Sequence, residues 1–122
     1  MTTIASLTEK ILAFRDERNW LQFRSPRDMA AAIAIEAGEL QELFLWKNYE
    51  EQLEILQAKR ERVGEELADI AVYLLELADK LGFDLGVLIE DKLRKNAEKY
   101  PVSLAKGSSK KYDVLSGSIP VA

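Results

Sequence analysis

The sequence predicts an all-α protein, a four-helix bundle that associates with further copies through its helices. Three observations carry that expectation. Long segments place apolar residues three and four positions apart. Capping and breaking residues stand at the junctions between those segments. No stretch shows the two-residue alternation that would assign a strand.

Ser6 followed by Glu9 reads as a capping box that opens a first helix over about 6–18. NWLQFR, residues 19–24, interrupts the helical period and reads as a loop rich in aromatics. Ser25, Pro26 and Asp28 then give an N-cap, a first-turn proline and a first-turn acid, opening a second helix to about Lys47. Asn48 is placed to cap the next helix. Residues 50–81 read as that third helix, with a break expected near Gln57 or Gly64, and Gly82 as its left-handed terminator. Asp84 caps a fourth helix that stops at Tyr100, ahead of Pro101. This divides the chain into a helical domain, 1–102, and a basic, Gly/Ser-containing tail, 103–122, expected to be extended.

Composition narrows the chemistry. The 122 residues fit one domain, and 48% hydrophobic with 31% charged residues suits a soluble, helix-rich chain. A net charge of −4 argues against a nucleic-acid polymer or an anionic membrane as partner. No apolar run is long enough to span a bilayer. MTTIASLTEKI lacks a basic start followed by an apolar block, so the expected location is the cytoplasm. The chain has no Cys and no His. That removes disulfides, thiolate catalysis, Ser-His-Asp triads and the nitrogen- and sulfur-liganded metal sites. A metal site must use oxygen ligands, which suit Mg²⁺, Mn²⁺ or Ca²⁺.

Acid pairs three residues apart are candidates for such a site, but their number is uninformative. With 21 acids, chance supplies roughly three or four such pairs, and the sequence holds five. Position says more. The second helix has a seam of Met29, Ile33, Ala37, Leu40 and Phe44. The third has Val63, Leu67, Ile70, Leu74, Leu77 and Leu81. At 100° per residue, Glu36 and Glu66 each lie about 60° to the same side of their seams, and Glu39 and Asp69 about 120°. Antiparallel packing would bring all four carboxylates together. Tyr73 falls between Glu66 and Asp69 in angle, and Lys92 and Asn96, one turn apart, are placed to border the same groove. Converging carboxylates repel and lose hydration, so they are tolerable around a divalent cation, preferably one sharing its shell with phosphate oxygens. The competing reading is ordinary flanking acids paired with Arg62, Lys80 or Lys92. The apolar arc of the third helix, widened by Ala68, Ala71, Val72 and Leu75, exceeds what one small bundle covers and predicts an oligomer.

EAGE (36–39) and EELAD (65–69), with 26 residues between Glu39 and Glu66, resemble the ExxE…ExxD signature of the MazG-like all-α nucleoside triphosphate pyrophosphohydrolases. RDERNWLQFRSPRDM, GELQELFLWK, ELADIAVYLLELADKLGFDL and RKNAEKYP…KGSSKKY resemble the dCTP-pyrophosphatase branch, over roughly residues 7–112. The resemblance implies a four-helix fold, Mg²⁺ dependence with Mn²⁺ as a substitute, cleavage of a (d)NTP to (d)NMP and pyrophosphate, and homodimers or homotetramers. It makes Glu36, Glu39, Glu66 and Asp69 the metal ligands and catalytic residues. It matches Trp20 and Trp46 to aromatics flanking the base, and Tyr73 to a pocket tyrosine. It matches Lys92 and Asn96 to the phosphate or sugar end, and Lys110, Lys111 and Tyr112 to a tail that closes over the phosphates. One position departs: where the branch can carry a His nine residues before the tryptophan, this chain has Ile11, which leaves base choice open.

On the residues alone, Trp20 and Trp46 read first as core or interface aromatics, and Lys110–Lys111 as solvated charge. Arg24 and Arg27 are further phosphate candidates, Arg27 with Asp28 as an alternative partner. The function expected is a metal-dependent nucleotide pyrophosphohydrolase for nucleotide-pool housecleaning, acting on dCTP or a modified dNTP. The alternative is a non-catalytic, oligomeric helical interaction module.

Overall fold

The structure, a computed structural model, describes residues 1–115. Among these it is entirely helical, with no strand. Helix α1 spans Ile4–Glu17, α2 Pro26–Phe44, α3 Tyr49–Ala58, α4 Arg60–Lys80 and α5 Leu85–Lys99. A single 3-10 turn, Leu21–Phe23, sits in the aromatic segment before α2. Two one-turn helices come after α5: α6 Val102–Ala105 and α7 Tyr112–Leu115. No helix among the described residues is long and apolar enough to cross a membrane.

The junction chemistry mostly agrees with the sequence. Ser25 accepts from the Asp28 N–H at 3.2 Å with Pro26 in the first turn of α2. Asn48 and Glu51 form a reciprocal capping box on α3, and Asp84 accepts from the Val87 N–H ahead of α5. Gly82 is left-handed at φ 76°, as the end of α4 requires. Three expectations are corrected. The cap of α1 is Thr3, and Ser6 is its capping-box partner, so the helix begins earlier. The predicted third helix is two helices, broken at Lys59 (φ −120°, ψ 31°), which ends α3 and begins α4; Gly64 continues helically inside α4. The segment expected to be extended forms helical turns at 102–105 and 112–115, where Pro101 and Lys111 carbonyls accept the closing bonds. Residues 116–122 of the predicted tail lie outside the described residues.

The chain divides into two compact units, Met1–Phe83 and Asp84–Ala122. In the first, α4 is central, packing most extensively on α2, then on α1 and α3. In the second, α6 meets α7, and Tyr100 and Tyr112 pack edge to face with Lys99 over the Tyr112 ring.

Packing on α4 shows where the predicted seam was misplaced. Val63, Ile70 and Leu77 are half-buried as expected, but Leu67, Leu74 and Leu81 are 54%, 40% and 48% exposed. The inner face instead runs Val63, Glu66, Ile70, Tyr73, Leu77, rotated toward the acid side. Among apolar residues in the unit, only Met29 and Ala78 are buried, at 1% and 9% exposure. Leu67, Leu74 and Leu81, predicted to help make the core, form an uncovered outer stripe.

Candidate functional site

Arg24, just ahead of α2, meets Glu76 near the end of α4, while Glu36 and Glu39, further along α2, meet Glu66 near the start of α4. The two helices are therefore antiparallel, the arrangement that the helix-angle argument needs.

One oxygen from each of Glu36, Glu39 and Glu66 lies within 4.8 Å of the other two. Glu66 is 2% exposed, Glu36 and Glu39 half-buried. Glu66 Oε1 pairs with Arg62 Nη2 at 2.8 Å across one helical turn. Glu36 Oε2 and Glu66 Oε2 are buried without a hydrogen-bond partner. Loss of hydration, the contact with Glu39, and the charges of Glu39, Asp69 and Glu66 push the Glu36 carboxyl up to about 7. Burial also raises Glu66, against the opposing pull of Arg62.

Two orphaned carboxylate oxygens in a cluster of three acids are costly for the protein alone and match the oxygen-only donor set of a divalent cation. Asp69 lies outside the three. It is exposed, one methylene shorter than a glutamate, and turned toward the next feature on the molecule.

That feature is a groove between α1 and α4, with a volume of about 570 Å³. This is the range of small-molecule sites. Its walls are mostly apolar, from Leu7, Ile11 and Phe14 on one side to Ala68, Val72 and Leu75 on the other. Asp69, Tyr73 and Glu76 line it along one stripe of α4, with Asp69 at the end nearest the acid cluster. Trp20 closes the far side, edge to face with Phe14 at 5.9 Å between centroids.

Arg24 also lines the groove. Its Nε donates to Glu76 Oε1 at 3.0 Å, and its guanidinium lies 5.5 Å from the Trp20 ring and 5.7 Å from the Tyr73 ring. Arg15 Nη1 is 3.9 Å from the same oxygen. Neither Glu76 nor its tie to Arg24 emerged from the sequence. The two are 52 residues apart, and an acid at a seam edge carries no mark of its partner.

The other predicted residues are dispersed. Trp46 comes after α2 in a left-handed conformation, φ 61°, with its side chain 91% exposed, and does not line the groove of its own chain. Arg27 pairs with Asp28 at 3.1 Å. Lys92 and Asn96 sit one turn apart on α5 in the second unit, Lys92 exposed and Asn96 half-buried. Lys110 and Lys111 are exposed in the same unit, directly before α7.

Comparison with known proteins then decides the family. The MazG-like family model matches residues 31–115, which includes all four acids. The chain belongs to the MazG-like family. It is 44% identical over 104 residues to a dCTP pyrophosphatase 1 from Bos taurus, covering 84% of this chain and 62% of that one. To the Homo sapiens dCTP pyrophosphatase 1 it is 41% identical, covering 84% and 61%. The chain thus spans about three fifths of the length of the curated relatives it matches. Among solved structures, a pyrophosphatase from Archaeoglobus fulgidus DSM 4304 superposes with a TM-score of 0.78 at 35% identity, covering 83% of this chain and 94% of that one. This likeness of fold extends over 83% of the chain.

Proposed function

We propose that this MazG-like chain is a divalent-metal-dependent nucleoside triphosphate pyrophosphohydrolase. It cleaves a (d)NTP, with dCTP or a modified dNTP as the leading candidates, to (d)NMP and pyrophosphate. The observation that carries the reading is the Glu36–Glu39–Glu66 cluster with its two orphaned buried oxygens, set beside an apolar groove of nucleoside size. The names of the relatives supply the substrate class.

Glu36, Glu39 and Glu66 would hold Mg²⁺, or Mn²⁺ in its place, with Asp69 joining from the groove side. When bound, the cation clamps phosphate oxygens and lowers the pKa of a water. The chain's own work is then positioning. The acids face the α–β anhydride, and one of them takes a proton from the attacking water. The Trp20 and Tyr73 rings flank the base, and the apolar walls keep bulk water from it. Lys92, Asn96, Lys110 and Lys111 stand as candidate phosphate or sugar contacts, as the family resemblance implies. The proposal includes a cytoplasmic location.

A homodimer or homotetramer belongs to the same proposal. Leu67, Leu74 and Leu81, with Ile35 at 62% exposure on α2, leave an apolar stripe that a second copy would cover. Trp46, fully turned outward, would complete the aromatic set in a neighbouring copy's groove.

The first experiment incubates the protein with each common dNTP and NTP, with Mg²⁺ and with EDTA, and resolves the products. Monophosphate and pyrophosphate appear only with Mg²⁺. Silence across the panel, with a compact oligomer present, would favour the non-catalytic helical module instead.

A further inference from the structure

Lys10, Arg15 and Arg24 are the cations of the groove, and Arg24 combines shelter, a fixed orientation and unused donors. Arg24 Nε is committed to Glu76, and the Nη end of its guanidinium has no protein hydrogen bond among the described residues. The side chain is only 16% exposed, and Glu76 is 3% exposed. A sheltered guanidinium with unspent donors costs free energy until an acceptor arrives. Glu76 and the two flanking rings hold it to one orientation.

The remaining polar groups in the groove are less suited to the same task. Arg15 is tied to Asp16 at 2.9 Å and approaches Glu76. Asp69 stands at the acid end, Lys10 is exposed and carries a point charge in place of a planar fork of donors, and Ile11 offers neither donor nor acceptor. Glu76 lies seven residues beyond Asp69 on the same stripe, about 10 Å along the helix axis. A nucleotide with its phosphates at the acids therefore extends its base toward Arg24.

We propose that Arg24 reads the edge of the nucleobase and that Glu76 is its positioning residue. This rests on the nucleotide reading above. The two free N–H groups at the end of a guanidinium are parallel and match two adjacent acceptors. Cytosine presents such a pair at N3 and O2, and guanine at O6 and N7. Thymine and uracil carry N3–H between their carbonyls, and adenine sets its amino group beside N1 and N7 and leaves N3 without an adjacent acceptor on the base. The site therefore selects a base with two neighbouring acceptors and discriminates against the others.

The test compares kcat/KM across the dNTP panel for the wild-type chain, Glu76→Gln, Glu76→Ala and the double variant R24M/E76L, which leaves no charge without its partner. The wild type is expected to prefer dCTP or dGTP. It should lose about 10- to 100-fold in kcat/KM when the ring acceptor is replaced by carbon, as in 3-deaza-dCTP or 7-deaza-dGTP. The double variant flattens the preference. Glu76→Gln, which still accepts from Nε, retains more of it than Glu76→Ala. A wild type that hydrolyses no nucleotide removes the nucleotide reading and this inference with it. Hydrolysis with undiminished use of the deaza analogue, or a preference for thymine, uracil or adenine nucleotides, overturns the role of Arg24 and leaves the hydrolase reading standing. If the double variant does not fold, the deaza comparison on the wild type decides.

Discussion

Glu66 and Glu76 sit ten residues apart on α4 and are buried to nearly the same degree, 2% and 3% exposed. Their surroundings differ. Glu76 has Arg24 at 3.0 Å and Arg15 at 3.9 Å. Glu66 has one partner, Arg62, whose side chain is 55% exposed, and faces Glu36 and Glu39 with one oxygen unsatisfied. Burial of a carboxylate says little about its task. What distinguishes them is whether the protein supplies the compensating charge. At Glu76 it does, and the pair fixes a groove wall. At Glu66 the compensation is left largely to something that binds.

The contrast can be broken most sharply in turnover. Glu66→Gln or Asp69→Asn should reduce kcat/KM by about 10³-fold or more while helicity by circular dichroism is retained, since each removes a charge meant for the metal. Near-normal turnover in both would sink the metal assignment. On stability the two sites should part. Glu76→Ala leaves Arg24 buried without its partner and should cost about 3–5 kcal/mol in denaturant unfolding. Glu66→Gln should raise the stability of the metal-free protein, because it relieves repulsion.

Metal should reverse that ordering. At a Mg²⁺ concentration of about 100 times Kd, the wild type gains roughly 2.7 kcal/mol, read as a rise in Tm of about 10 °C, and Glu66→Gln does not. A Tm indifferent to Mg²⁺ would contradict a metal site at the cluster.

A further effect is in pH. Glu36 titrates near 4.5 in the unfolded chain and is pushed up to about 7 in the fold. Between those values the folded state holds a proton that the unfolded state has released. Its contribution to stability is therefore complete below about 4.5 and is lost as pH rises to about 7. In EDTA, the Tm of Glu36→Gln should fall less than that of the wild type across this range.

Much of this was legible from helix geometry. The convergence of Glu36, Glu39 and Glu66 comes from offsets counted at 100° per residue on two antiparallel helices. The helix caps at Ser25, Asn48 and Asp84 were legible because capping is local chemistry. The exposure of Leu67 and Leu74 was not, since the apolar period marks a face without saying whether this chain or another copy covers it. The break at Lys59 was displaced because no proline or glycine marks it. Arg24 and Glu76 were invisible as a pair: their meeting depends on how α2 and α4 align, which no local pattern records.

A consequence of the α2–α4 contact concerns how the chain folds. The helices that carry the acid cluster are not neighbours in sequence, because α3 lies between them. Bringing Glu36 to Glu66 closes a long loop whose entropy is lost before any contact compensates it. That closure also forces three carboxylates together. The acid site therefore lies on a step of folding opposed both by chain entropy and by charge. A cation that binds only after the helices have met would slow their separation without hastening their meeting.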